Sequence, residues 1–194
     1  MKRSILIFLF MIFSASGLMT TQVAAAEEKE LVKQMQSGNS VLMIRHALAP
    51  GVGDPEDFDV NDCSTQRNLD QRGRAQAQAI GQWLRDHGIN NIKLYSSQWC
   101  RCMDTARLMD VGKVTPLPAL NSFFESPADR VPNLAAVRKF IQDNSKPGEL
   151  IVMVTHQVTI SGITGKWTDS GHGKLVKVAR NGDIQLSGEL DFND

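Results

Sequence analysis

Two short runs of uninterrupted apolar residues constrain this chain more than any other feature. Val41-Leu42-Met43-Ile44 and Leu150-Ile151-Val152-Met153-Val154 are too short and too continuous for amphipathic helices. They read as strands covered on both faces, as in the middle of a parallel sheet. Each ends in a basic or imidazole-bearing pair, Arg45-His46 and Thr155-His156.

The segments between them alternate in type. Residues 28–37 read as a short polar helical lead-in before the break at Gly38-Asn39-Ser40. Residues 71–87 place Ala75, Ala79, Ile80, Trp83 and Leu84 at helical spacing and stop at Gly88. Ile92–Tyr95 predicts a strand, residues 99–109 a helix, and residues 114–117 a short strand. A loop with three prolines covers 118–132, and residues 134–141 are helical. Near the end, Leu175–Ala179 and Ile184–Leu186 flank Asn181-Gly182, a hairpin turn signal. Strands alternating with helices predict an α/β fold with a largely parallel sheet and a terminal antiparallel hairpin. With 194 residues, the chain suits one ordinary domain.

The first 26 residues read as a secretion signal rather than fold. Lys2 and Arg3 precede the apolar run Ile5–Phe13, and Ala24-Ala25-Ala26 fits a cleavage site. The run is shorter than the roughly 20 residues that span a bilayer. The expected mature domain is 27–194, exported to the periplasm or medium, with no stable membrane insertion once the signal is removed. Losing Lys2 and Arg3 leaves 19 basic against 21 acidic residues, since no acidic residue precedes Glu27. A near-neutral chain without a basic block gives no reason to expect nucleic acid. An exported chain meets an oxidising compartment. Of Cys63, Cys100 and Cys102, Cys63 is therefore expected to pair with Cys100 or Cys102. Cys100-Arg101-Cys102 also allows a labile thiol pair or a metal site, but the spacing matches no zinc pattern and no metal is expected.

In open α/β sheets the ligand crevice lies beyond the carboxyl ends of the strands. If the two apolar strands are neighbours, Arg45, His46 and His156 meet there. Arg101, just after the strand ending at Ser96-Ser97, enters the same crevice. Two guanidiniums, two imidazoles and a helix start suit a phosphate-sized anion, because the Arg fork binds its oxygens in pairs.

Four segments carry a family resemblance. Arg45-His46-Ala47 resembles the Arg-His-Gly signature of the histidine phosphatase (phosphoglycerate mutase-like) superfamily. Leu69-Asp70-x-x-Gly73-x-x-Gln76-Ala77 resembles the opening of that family's first main helix. Ser96-Ser97-x-x-x-Arg101-x-x-x-Thr105-Ala106 is similar to its second-Arg motif, and Val154-Thr155-His156 to its second-His motif. The resemblance runs from about Val41 to Gly165. It implies a three-layer α/β/α sandwich and a metal-independent, cofactor-free phosphatase. His46 would attack phosphorus, while Arg45, Arg101 and His156 hold the non-bridging oxygens. The surrounding positive charge would keep His46 neutral and nucleophilic.

The sequence departs from the family pattern at Ala47, where Gly is usual, and at Gln157, which is a candidate pocket residue. It departs most at Ser122, which stands where many members carry a proton-donating Glu. Glu125 is the candidate donor, with Asp54, Glu56 and Asp57 as alternatives. Arg67 and Arg72 are candidates for a second anionic group of the substrate. His87 and His172 read as structural. A disulfide from Cys63 would pin the loop after His46 to the Arg101 helix. The expected substrate is a small-molecule or cell-envelope phosphate ester. The alternative is a non-catalytic phosphate-binding or sensing module on the same fold.

Overall fold

The computed structural model describes residues 26–179 and 181–192. The signal read at residues 1–26 therefore falls, but for Ala26, outside the described residues.

A helix over residues 26–37 (α1) opens the described chain. It buries Leu31 and Met35, one turn apart, so the polar-looking lead-in is an integral helix. Six strands follow: β1 (Ser40–Arg45), β2 (Ile92–Ser96), β3 (Val114–Pro116), β4 (Leu150–Thr155), β5 (Gly173–Val178) and β6 (Ile184–Leu190). They form one sheet in the order β3-β2-β4-β1-β5-β6. β3, β2, β4 and β1 run parallel, while β5 and β6 pair antiparallel at one edge.

The continuous apolar character of β1 and β4 has a direct cause. Leu42, Ile44, Val152 and Val154 face a core built with α1, α2 (Gln71–Asp86) and α3 (Cys100–Met109). Val41, Met43, Ile151 and Met153 face the opposite core, built with α4 (Arg130–Asn144) and α5 (Gln157–Thr164). Successive side chains on a strand alternate faces, so both registers must be apolar. The result is a three-layer α/β/α arrangement.

Two helices differ from the sequence expectation. α4 starts at Arg130 rather than 134, with Pro132 in its first turn, where the missing N–H has no helical partner to lose. α5 has no counterpart in the sequence reading. Its Val158, Thr159, Ile160 and Ile163 favour strands by propensity, yet burial of Thr159, Ile160 and Ile163 makes it a helix. The hairpin turn forms around Asn181-Gly182 as expected, with the Gly182 N–H donating to Ala179 O and Gly182 at φ 87°.

Candidate active site

The strand order brings the two His motifs side by side. Arg45 pairs with Thr155 in the β1–β4 register, and the His46 N–H donates to Thr155 O at 2.9 Å. On the other side of β4, the Ser97 N–H donates to Val154 O at 2.9 Å, which sets the start of α3 beside the same crevice. Three parallel strands thus deliver Arg45, His46, His156 and Arg101 to one cleft of about 700 Å³. The two imidazoles stand 5.6 Å apart between centroids, with planes at 68°.

The backbone around His46 is held from two helices. The Ala47 N–H donates to Thr105 Oγ1 at 3.0 Å, and Thr105 Oγ1–H donates to Arg101 O at 2.7 Å. The Leu48 N–H donates to Gln76 Oε1 at 3.0 Å, and Gln76 Nε2 donates to Ser170 O at 2.9 Å. Asp70 caps α2 by accepting from the Gly73 N–H at 2.7 Å. A Cβ on Gly73 would lie 2.0 Å from Leu48 O, so only glycine lets α2 approach this close. The letters of the Asp70 and Arg101 motifs are therefore the supports of the His46 loop.

His46 is buried, and its Nδ1 lies 2.8 Å from Ala47 O. A carbonyl only accepts, so Nδ1 carries the proton and the lone pair of the neutral ring sits on Nε2. Burial, then the charge of Arg101, lowers the His46 pKa to about 3, against a smaller upward pull from the Ala47 carbonyl. Burial, Arg101 and His46 likewise hold His156 well below its ordinary value. Ser97 Oγ lies 2.9 Å from His156 Nε2, and the Trp99 ring stands edge-on to the imidazole at 5.4 Å.

The two guanidiniums are anchored at their tips. Arg45 Nη1 donates to Thr168 O at 3.1 Å. Arg101 Nη1 and Nη2 donate to Asp54 Oδ1 and Oδ2 at 2.7 and 3.0 Å. The Nε groups of Arg45 and Arg101 are shut off from solvent and have no hydrogen-bond partner among the described residues. Buried N–H donors are rarely left this way.

Residues 41–126 match the histidine phosphatase superfamily (branch 1). The fold of the chain is similar to that of the protein histidine phosphatase SixA complexed with tungstate, at 13% identity and a TM-score of 0.57, covering 79% of this chain and 97% of that one. It is similar to a phosphoserine phosphatase mutant from Entamoeba histolytica in complex with phosphoserine, at 14% identity and 0.57, covering 79% and 98%. It is also similar to the alpha-ribazole phosphatase from Shigella flexneri, at 16% identity and 0.53, covering 76% and 94%. No curated protein sequence matches the chain.

The other candidates of this histidine phosphatase-fold chain divide. Glu125 lines the cleft, and its Oε1 accepts from the Asp54 N–H at 2.9 Å. Ser122 lines it too, its Oγ accepting from the Phe124 N–H at 3.2 Å. Gln157 is on the cleft wall, its Nε2 donating to Ser161 Oγ at 2.8 Å. Arg67 reaches the cleft, but its Nε donates to Gly53 O at 2.8 Å and its Nη1 to Ala49 O. It thereby shapes the loop after His46. Arg72 is not brought to the cleft: its side chain is 79% exposed and pairs with Asp70 at 3.3 Å. Its position on the first turn of α2 points it to solvent.

Asp54, one of the alternative donors, is held in an ion pair with Arg101. Burial alone would raise its pKa, but hydrogen bonds and charge from Arg101, with the Arg67 N–H and Trp99 Nε1–H, hold the carboxyl below its ordinary value. It is the partner of Arg101, a role its sequence position does not reveal. Glu56 and Asp57 are exposed and do not line the cleft. The start of α3 is not a free anion site either. Its Gln98, Trp99 and Cys100 N–H groups donate to Asn121 Oδ1, Ser97 Oγ and Gln66 Oε1.

Cys63 and Cys100 form the disulfide, with Cα atoms 5.7 Å apart, and Cys102 is free and buried. Cys100-Arg101-Cys102 is therefore not a dithiol. Burial pushes the Cys102 thiol up to about 12, so it stays protonated and inert. No group of three or more His, Cys, Asp or Glu side chains among the described residues is placed to hold a metal ion.

Proposed function

We propose that the chain is a phosphatase that hydrolyses phosphate monoesters through a phosphohistidine on His46, without a metal. One observation carries this reading: a neutral imidazole with its lone pair on Nε2 lines the same cleft as the guanidiniums of Arg45 and Arg101. A phosphoryl group is an anion whose oxygens pair with guanidiniums.

In the proposed first step, His46 Nε2 forms the bond to phosphorus as the bond to the leaving oxygen breaks. Arg45, Arg101 and His156 stabilise the charge on the non-bridging oxygens. With Ser97 holding His156 through Nε2, Nδ1 is the ring nitrogen left for the anion. Glu125, protonated as the carboxylic acid, gives its proton to the leaving oxygen and is left as the carboxylate. Water then attacks phosphorus, Glu125 takes back a proton, and the P–N bond breaks to release inorganic phosphate and neutral His46.

We also propose that the domain works after export as residues 27–194. The leader-like first 26 residues and the Cys63–Cys100 disulfide support this. Among the described residues no helix is long and apolar enough to cross a membrane. The expected substrate is a phosphate ester, with no nucleic-acid partner.

Phosphate release from an aryl phosphate in chelator-treated buffer tests the reading. Wild type is expected to turn over, His46→Ala to be silent, and Glu125→Gln to lose roughly 10²–10⁴-fold on esters with poor leaving groups. Ser122, standing where a Glu is common, supports the alternative of a phosphate-binding module. A wild type that binds phosphate but releases none would favour that alternative.

A further inference from the structure

The phosphoryl-binding cluster occupies only the floor of a cleft of about 700 Å³. That volume is in the range that encloses a whole organic ligand. The upper walls therefore leave room for more than a phosphate.

Their apolar surface is concentrated. Among the described residues the exposed large hydrophobic side chains are Val52, Phe124, Val131 and Trp167, and all but Val131 line this cleft. Trp167 is 63% exposed and Phe124 56%. Exposed aromatic faces gathered at one cavity mouth mark a surface that a ligand covers. Trp167 is also tied to the phosphoryl end: Arg45 Cζ lies 5.8 Å from its ring centroid, and its Nε1 donates to Asp169 Oδ1 at 3.0 Å. The indole is thus held in the cleft beside Arg45.

The charge of the walls is equally directional. The cationic lining consists of Arg45, Arg67 and Arg101, besides the two imidazoles, with no lysine among it. Two of the Arg67 nitrogens are bonded to the carbonyls of Gly53 and Ala49. The outer lining carries Glu125 and Asp129 with Ser126 and Asn133. A second anionic group would meet carboxylates there.

We propose that the outer cleft is a leaving-group site for a neutral alcohol that presents a ring face to Trp167 and Phe124, and that it rejects leaving groups bearing a carboxylate or second phosphate. The inference rests on the phosphatase reading for its substrate, but the site itself predicts binding as well as turnover. An aryl group and a sugar both present such a ring face, and both share this chemistry.

The experiment uses esters matched in leaving-group type. Phenyl phosphate is compared with carboxyphenyl phosphate, and a hexose 6-phosphate with phosphoserine. Binding of benzylphosphonate and of the phosphonate analogue of phosphoserine is measured in parallel by titration calorimetry. The neutral ring ligand of each pair is expected to lead by about tenfold in kcat/KM or Kd, the scale of one aromatic contact plus one like-charge repulsion. Trp167→Ala and Phe124→Ala are expected to collapse the ratio between benzylphosphonate and the phosphoserine analogue, of which only the first carries a ring, Trp167→Phe to keep it, and Asp129→Asn to improve the carboxylate-bearing ligands alone. Preference for the aryl or the sugar pair identifies which ring the site takes. Equal handling of neutral and carboxylate-bearing ligands, or a ratio indifferent to Trp167 and Phe124, overturns the proposal. Selective binding without turnover would uphold the site and reject the phosphatase reading instead.

Discussion

Arg101 and Asp54 form a buried two-pronged ion pair, Nη1 to Oδ1 at 2.7 Å and Nη2 to Oδ2 at 3.0 Å, with both side chains about 95% buried. The same carboxylate accepts from Trp99 Nε1 at 3.0 Å and from the Arg67 N–H at 3.1 Å. A loop that follows the proposed nucleophile thus fixes the orientation of the second guanidinium.

Removing that carboxylate leaves a buried guanidinium without its counter-charge. Asp54→Ala is expected to lose about 3–5 kcal/mol of unfolding free energy, as other broken buried pairs do. Asp54→Asn keeps the shape and should lose less. In both, kcat/KM should fall by at least about tenfold, because a misaligned guanidinium stabilises the transition state poorly. Urea unfolding and steady-state kinetics check the two effects separately.

The pH dependence has a definite sign. Burial and Arg101 lower the folded-state His46 pKa from 6.5 to about 3. A lowered folded-state value means that stability is full above pH 6.5 and declines as pH falls toward 3. The slope approaches ~1.4 kcal/mol per pH unit for this one group. His156 is shifted in the same direction and adds to it. The thermal midpoint should therefore drop between pH 7 and pH 5, and His46→Gln should flatten the drop. A free-enzyme kcat/KM profile with an acidic limb at 6.5 would contradict the low His46 value.

The disulfide closes a loop of 37 residues in sequence separation, for which the chain-entropy relation gives about 4 kcal/mol. It also staples the loop carrying Asp54 to the helix carrying Arg101, beside the stacked rings of Phe58 and Trp99 at 4.9 Å. The double variant Cys63→Ser/Cys100→Ser should lose up to that stability and should bind phosphate more weakly. In wild type Cys102 should resist alkylation until the protein is denatured, which mass spectrometry reads directly.

Much of this arrangement is legible in the sequence because it follows from local rules. The apolar runs of β1 and β4 need a covered sheet, and a parallel sheet puts their carboxyl ends at one edge. The strand order, which the sequence leaves open, then sets β1, β4 and β2 side by side and brings Arg45, His46, His156 and Arg101 together. The choice of Cys100 over Cys102 is not legible, since it depends on which side of α3 faces the loop. At about 100° per residue, positions two apart point to opposite sides of a helix. Cys100 faces Cys63, and Cys102 enters the core. The Asp54–Arg101 pair is hidden for a similar reason. Nothing in residues 47–66 states how that loop folds back, and a carboxylate there reads equally as an acid, a surface charge or a counter-ion. Arg67 and Arg72 look alike in sequence, but only the fold puts one against carbonyls and the other in solvent. α5 is hidden by its β-branched residues, which burial overrides.

The central claim is the phosphoenzyme, and it is tested most directly by rapid acid-free quenching during turnover of an aryl phosphate followed by intact-mass and peptide mapping. The account predicts a single added phosphoryl group on the peptide containing His46, stable in base, lost in acid, and absent from His46→Ala. Turnover without any such adduct under burst conditions, or an adduct on another residue that survives in His46→Ala, would contradict it.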